Sequence, residues 1–391
     1  MRSIRFIVDD HIGSTLPLAK EFARRGNRVQ YVYLTAVKKI HDLESTNIQA
    51  DLKYGVNILK KSPSLNRFLD GCDVEFVAFR YFRPFERYIF LRIITGMVNT
   101  LFFFCYRSFF KASYDFTNIV GRYNSNVFCK LISYLSKDKT FISLHEVNNH
   151  FTKDSNQTKF IKTIINHQFP LIFHSQNCYS EWDKMYPSCP SLKYHINFGV
   201  FEGYRFCDYN RVLTKEPNYF LFFGYLKPYK GLNNILSLLE HFKDLRTLPI
   251  VIAGNGDSPH LQKLSAFPNV QIINRYLSND DLASLIFHSR CVLCPYNSAS
   301  QSGVILTSFA FYKPVIATEI TAFREVIING KNGYLFDIND LEKAKDAMIK
   351  LANDNLLYEE MVKYLKDIDI TMQEFSWKYI ANQYMRILDN S

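Results

Sequence analysis

Residues 291–318 read CVLCPYNSASQSGVILTSFAFYKPVIAT. An apolar run, 291–294, gives way to a polar loop, 297–302. An almost wholly apolar segment, 303–312, follows, and after Lys313-Pro314 a second apolar run, 315–317. Short apolar runs bounded by turn residues fit strands buried on both faces, and a longer one fits a buried helix. The stretch therefore reads as strand, loop, helix, strand. In such a βαβ unit the loop lies at the carboxyl end of the first strand, the edge where open α/β sheets bind ligands. Ser302 suits an N-cap and Gly303 lets a ligand approach the backbone closely. The free N–H groups of that helix end suit a diphosphate. A buried helix with a polar cap accounts for the same residues without a ligand.

The alternation continues outward in both directions. Towards the C-terminus, 323–328 reads as a short helix, Asn332-Gly333 as a turn, 334–336 as a strand and 341–352 as a helix; 375–388 reads as an amphipathic helix carrying Trp377. Towards the N-terminus, 280–287 reads as a helix and 270–273 as a strand running into Arg275-Tyr276-Leu277. The strand 248–253 ends in Gly254-Asn255-Gly256-Asp257, and the strand 219–223 runs into GYLKPYKG, 224–231. Lys227 and Lys230, three apart around Pro228 on a loop before a helix, form a compact cationic site for phosphate, or else a solvated surface loop. Residues 204–216 are polar and charged and read as a linker.

The first half repeats the pattern. Residues 4–8 form a strand into Asp9-Asp10-His11-Ile12-Gly13-Ser14, a helix ends at Gly26, and 29–34 is the next strand. This β-α-β start carries a glycine loop but no G-x-G-x-x-G, so a dinucleotide site is not indicated. Gly13 either admits a ligand to the backbone or serves only a turn. Residues 74–78, 140–144, 171–174 and 194–196 read as further strands. His145-Glu146, at the carboxyl end of 140–144, stands where substrate contact or proton transfer occurs; a hydrogen-bonded loop histidine is the plainer reading. Residues 148–157 read as a polar loop.

Between these strands, residues 80–111 interleave aromatics with six basic residues: Arg80, Arg83, Arg87, Arg92, Arg107 and Lys111. The longest charge-free run, 93–106, has 14 residues, short of the roughly 20 of a membrane-spanning helix. It fits a core helix with a basic flank. It also fits an interfacial element whose aromatics enter a bilayer while arginines meet lipid phosphates. Stacking on single-stranded nucleic acid finds no accompanying signature, and no nucleic-acid partner is expected.

The chain has 391 residues, enough for two domains, and 47% of them are apolar. Lys and Arg total 47 against 37 for Asp and Glu, a net charge of +10. Residues 1–210 hold 28 basic and 18 acidic residues; the rest hold 19 of each. The whole excess sits in the first half, which suggests an anionic partner there, or a merely basic surface. Eight cysteines without zinc spacing and a charged start read as a reducing, cytoplasmic compartment without a disulfide framework. No metal site is apparent; Asp9-Asp10-His11 are adjacent residues rather than a ligand spacing.

Seven blocks then occur in order: FFGYLKPYKGL (222–232), VIAGNGD (251–257), IINRYLSNDDLASLI (272–286), CPYNSASQSGV (294–304), YKPVIAT (312–318), FREVIINGKNGYLF (323–336) and FSWKYIANQY (375–384). Together they resemble the GT-B glycosyltransferases of the group 1, family 4-like type. The resemblance covers most of 218–386 and is thinner before that. It implies two Rossmann-like, doubly wound α/β domains facing a cleft: an acceptor-binding domain, 1–205, a nucleotide-sugar-binding domain, 206–372, and a C-terminal helix, 373–391, returning to the first. It implies sugar transfer from a nucleotide-diphosphate sugar, UDP foremost, to a glycan or lipid-linked acceptor in polysaccharide biosynthesis, at the inner face of the membrane and without a metal or other cofactor.

Carried over residue by residue, Lys230 matches the family's diphosphate-binding lysine, and Lys227 stands in for an arginine whose place Tyr225 takes. Gly254 and Asn255 match the glycine turn near the nucleotide. Arg275-Tyr276-Leu277 match the segment that meets the base, and Ser302 and Gly303 the loop that holds diphosphate and donor sugar. The family's paired glutamates are replaced: the second position holds Thr307, whose hydroxyl, or that of Ser308, substitutes at the ribose, and the first falls near Ala299, with Gln301 or Ser302 in support. His145 is the expected catalytic residue, as base or orienting group, with Glu146 and Asp10 behind it. A non-catalytic GT-B binder of nucleotide sugar or glycan is the alternative, and a sugar-nucleotide epimerase a third reading.

Overall fold

The computed structural model describes all residues except 10, 84–88, 113, 122–130, 132–134, 136–138, 146, 148–154, 300–302 and 391. The chain divides into two compact units, Met1–Phe198 with Ile380–Ser391, and Gly199–Tyr379. The seams lie seven residues before the expected 205/206 boundary and seven after the expected 372/373 one. The intended linker falls inside the second unit, where its start is a tight turn, Glu202–Phe206, with Tyr204 buried.

The first unit is built on strands β1 (Ser3–Val8), β2 (Arg28–Thr35), β5 (Gly55–Ile58), β6 (Val74–Arg80), β7 (Phe116–Val120), β8 (Thr140–Leu144), β9 (Leu171–Phe173) and β10 (Lys193–His195). Their order is β10-β9-β8-β7-β1-β2-β6-β5, with a separate hairpin of β3 (Lys39–Leu43) and β4 (Ile48–Asp51). All neighbours run parallel except β5, antiparallel to β6 at the edge. Parallel strands covered on both faces need continuous apolar runs. Accordingly every residue of β8 and β9 is buried. The strand order reverses between β1 and β7, which both end at the same edge. The expected glycine loop after β1 is shorter than read: helix Ile12–Arg24 already begins at Ile12 and buries Gly13 in its first turn. His11, at φ +60°, makes the turn instead. Part of the expected loop 148–157 is helix, since Ser155–His167 is helical. Tyr384 of the C-terminal helix, Trp377–Asn390, closes this unit's core edge-on against Phe22 (6.1 Å) and Phe116 (5.9 Å).

The second unit has one six-stranded parallel sheet of β11 (Tyr219–Phe223), β12 (Ile250–Gly254), β13 (Val270–Asn274), β14 (Ser289–Cys294), β15 (Val315–Thr318) and β16 (Gly333–Phe336). Its order is β13-β12-β11-β14-β15-β16. Numbered from its own first strand this is 3-2-1-4-5-6, the doubly wound order whose ligand crevice opens where strands 1 and 4 diverge. Here those strands are β11 and β14. The opening reading of 291–318 as strand, helix, strand is what the structure has: β14, helix Gly303–Ala310, β15. The one C-x-x-C spacing, Cys291 to Cys294, lies along β14. Side chains three apart on a strand point to opposite faces, both thiols are buried, and burial pushes the Cys294 thiol up to about 12. Trp377 packs within this unit, its Nε1 donating to the Val200 carbonyl at 2.7 Å.

Candidate active site

In the second unit the loops after β11, β12 and β14 meet backbone to backbone. A Cβ on Gly254 (φ +146°) would stand 1.8 Å from the Gly224 carbonyl oxygen, and one on Gly231 (φ +76°) 1.7 Å from that of Pro295. Only glycine fits such approaches. Asn234 ties the junction, its amide donating to the Pro295 carbonyl at 2.7 Å and to Asn297 Oδ1 at 3.0 Å.

Lys230 is aimed into this junction. Its ammonium donates to Tyr296 Oη at 3.1 Å and lies 2.9 Å from where a Gly224 side chain would begin. The residue is only 8% exposed. Burial lowers its pKa to about 8, the neighbouring Lys227 adding to the fall and Cys294 opposing it. A desolvated ammonium at the crevice of a doubly wound sheet, held by one phenol, is a strong potential ligand for a diphosphate.

The other residues singled out from sequence take varied places. Lys227 is exposed and Asn255 presents its carbonyl to the Leu226 N–H at 3.0 Å. Gly303 opens the helix, with Phe201 at 3.0 Å from its would-be Cβ. Thr307 is buried and its hydroxyl donates to the Gly303 carbonyl at 2.7 Å, as Ser308 does to Val304. Neither has a proton left to give a ribose. Arg275 is committed to Asp281 at 2.7 Å; Leu277, two residues on, is half-buried. Ser302, Gln301, Glu146 and Asp10 lie outside the described residues. Tyr296, Asn234 and Gly231 were not singled out; the Pro-Tyr-Asn run closing β14 was the signal available.

In the first unit, three histidines from three strand ends gather at one edge. His11 follows β1, His145 follows β8 and His174 follows β9. The His11 and His145 rings stack at 3.9 Å, and His174 lies 5.4 Å from His145 and 3.8 Å from Phe198. His174 donates through Nδ1 to the Ile196 carbonyl at 2.8 Å, which leaves the lone pair on Nε2. Among the described residues nothing donates to that buried Nε2. Burial holds His145 well below the ordinary histidine range, with His11 and His174 adding to it, and takes His174 to about 3. Both are neutral near pH 7. A base whose conjugate acid is this strong accepts protons poorly, so orienting a substrate hydroxyl suits His145 better than deprotonating it.

These histidines also make the first unit acid-sensitive. Their folded pKa values lie below the unfolded 6.5, so unfolding takes up protons below that pH and stability falls as pH drops from 6.5 towards about 3. The slope approaches about 1.4 kcal/mol per pH unit for each histidine. His174→Gln, which keeps a donor for Ile196, is expected to shallow the decline in denaturant titrations between pH 7 and pH 5. An unchanged slope would refute the buried neutral state.

Three comparisons bear on this arrangement. A family model described as glycosyl transferases group 1 matches residues 210–367. The chain is 31% identical over 178 residues to the phosphatidyl-myo-inositol mannosyltransferase of Mycobacterium leprae, covering 43% of this chain and 46% of that protein. It is 28% identical over 109 residues to the GDP-mannose:glycolipid 4-beta-D-mannosyltransferase of Xanthomonas campestris, covering 27% and 31%. The chain thus spans less than half the length of these curated relatives in the matched region. Sucrose-phosphate synthase from Thermosynechococcus elongatus superposes with a TM-score of 0.64 at 14% identity over 100% of both chains. That likeness concerns the fold, two Rossmann-like α/β units of the GT-B type.

Proposed function

We propose, for a chain that belongs through residues 210–367 to the group 1 glycosyl transferases, that it moves a sugar from a nucleoside-diphosphate donor to a glycan or lipid-linked acceptor in polysaccharide biosynthesis. The observation that carries this reading is the buried Lys230 ammonium at the diverging ends of β11 and β14. The reaction breaks the bond between the anomeric carbon and a diphosphate oxygen, and charge grows on the leaving diphosphate. A fixed, desolvated cation there stabilises the transition state more than the ground state. Lys230 therefore takes the leaving-group role, without a metal. The acceptor hydroxyl oxygen forms the new bond to the anomeric carbon, and its proton passes to the departing diphosphate oxygen.

In the first unit, His174 Nε2 offers a buried acceptor for one sugar hydroxyl, and neutral His145 orients another. UDP is the donor base proposed. The Xanthomonas relative, named for GDP-mannose, favours GDP as the second choice. The place of action is the cytoplasmic side of a membrane, where lipid-linked acceptors are exposed. The replaced glutamates favour the competing reading, a GT-B protein that binds a nucleotide sugar without turning it over.

A thermal-shift panel of UDP, GDP, ADP, CMP and their sugars tests the donor site. A ligand confined to the folded state at a hundredfold its Kd stabilises by about 2.7 kcal/mol. One nucleotide is expected to raise the melting point, and its sugar to be turned over with a lipid acceptor in the presence of chelator. Binding without turnover selects the non-catalytic reading; no shift with any nucleotide overturns both.

A further inference from the structure

Helix Ile89–Cys105 is built inside out. Its inward face carries Asn99 and Thr95, 3% and 8% exposed, beside the buried Phe103. Asn99 exchanges two hydrogen bonds with the Phe82 backbone, accepting its N–H at 3.0 Å and donating to its carbonyl at 2.9 Å. Phe103 packs on Phe79 at 5.1 Å. Its outward face carries Phe90, Ile93, Ile94, Met97, Leu101 and Phe104, all 40–69% exposed. Their spacing of three and four places them along one side of the helix. A helix lying on a water-soluble protein puts these residues the other way round.

Both threonine hydroxyls of the helix bond to its own backbone. The exposed Thr100 donates to the Gly96 carbonyl at 2.8 Å, and Thr95 to that of Leu91 at 2.7 Å. The segment is also fixed to the sheet. Arg5, 1% exposed on β1, donates to the carbonyls of Phe109 and Phe110 at 3.0 and 3.3 Å, while its guanidinium lies 3.8 Å from the Tyr114 ring. The chain just after the helix is thereby tied to β1, as Phe103 ties the helix itself to Phe79 on β6.

Cations flank it among the described residues. No acidic residue occurs between Glu86 and Asp115, while Arg107 and Lys111 do. Arg83, Arg107 and Lys111 are exposed, and Arg107 sits 4.3 Å over the Phe104 ring. An arginine on an aromatic edge presents its charge at the depth where lipid phosphates lie. Among the described residues no helix is long and apolar enough to cross a membrane, so the element suits lying in an interface.

We infer that the outward face of helix Ile89–Cys105, with its arginine rim, docks the protein on an anionic phospholipid surface. A second copy of the chain fits less well, because it would bring the same cations against this rim. The inference adds a partner to the function proposed above and rests on it only for the purpose of docking. Binding to lipid is read without turnover, so either can fail alone.

Flotation of the full chain with vesicles decides it. Phosphatidylcholine vesicles with phosphatidylglycerol are expected to carry the protein, and pure phosphatidylcholine vesicles to carry much less. Met97→Glu with Leu101→Glu, both at exposed positions, is expected to weaken binding about a hundredfold while the melting temperature and any nucleotide-induced shift stay unchanged. Arg107→Glu is expected to weaken it about tenfold at low salt. Failure of the parent to float with either vesicle, or undiminished flotation of the double variant, overturns the proposal. Equal flotation with both vesicles removes its anionic part. A parent dimer that the double variant turns into monomers assigns the face to a second copy instead.

Discussion

Lys230→Met leaves the protein folded, raises the stability of its unliganded form and abolishes the stabilisation that a nucleoside diphosphate gives the parent. Methionine keeps most of the apolar stem but removes the charge. In the parent the ammonium sits at a pKa of about 8 rather than 10.5, so at neutral pH its burial costs on the order of 3 kcal/mol. Because the folded pKa is the lower one, that cost is fully present below pH 8 and fades as pH rises towards 10.5. The variant escapes it. What it loses is the cation facing the ligand: about 2–3 kcal/mol of ground-state binding and about 3–4 kcal/mol of leaving-group stabilisation. Turnover is expected to fall about a thousandfold. A diphosphate that binds the parent also restores the lysine's proton. Calorimetry near pH 8 in buffers of different ionisation enthalpy is expected to show up to about half a proton taken up per ligand. An unliganded melting point well below the parent's, or an undiminished ligand shift, would sink this account.

Gly231→Ala costs far more than Gly330→Ala although both glycines sit at φ +76° in the same unit. Alanine pays about 1 kcal/mol for that backbone conformation at either place. At Gly330 nothing lies within 4 Å of the new methyl, whereas at Gly231 it meets the Pro295 carbonyl at 1.7 Å. The loop after β14 must then move, adding about 3 kcal/mol, and Tyr296 and Lys230 move with it. Urea unfolding of the two variants measures the difference. Equal costs would show that the loops after β11 and β14 are not in the contact described.

The second unit was legible because its strands are short uninterrupted apolar runs, YFLFF, IVIAG and VIAT, and such runs between glycine turns have few other readings. β7 hides the same signal. All five residues of FTNIV are buried, yet Thr117 and Asn118 break the apolar pattern, and the Asn118 side-chain oxygen accepts from Ser143 on the neighbouring strand, at 2.9 Å. No local rule supplies that partner. The edge strand β5, GVNI, and the β3–β4 hairpin are too short and mixed to stand out. The histidine cluster was half visible: His145 was marked by its strand end, but His11 and His174 join it only through the strand order. For Thr307 the sequence showed a hydroxyl and not that the helix's own carbonyl already takes its proton. Residues 93–106 show how composition runs out altogether, since the same apolar letters serve a helix facing inward or outward. Asn99 and Thr95 facing the protein decide it.

The first unit is assembled from both ends of the chain, with residues 22 and 116 completed by residue 384. Closing so long an interval costs entropy that local contacts do not. On a ribosome the order of completion is therefore the reverse of the order of synthesis. The second unit, one continuous stretch, has all it needs once residue 379 has emerged, while the first-made strands wait with Phe22 and Phe116 uncovered until Tyr384 arrives. During that interval the nascent chain carries an open aromatic surface, the kind of transient exposure that chaperones cover.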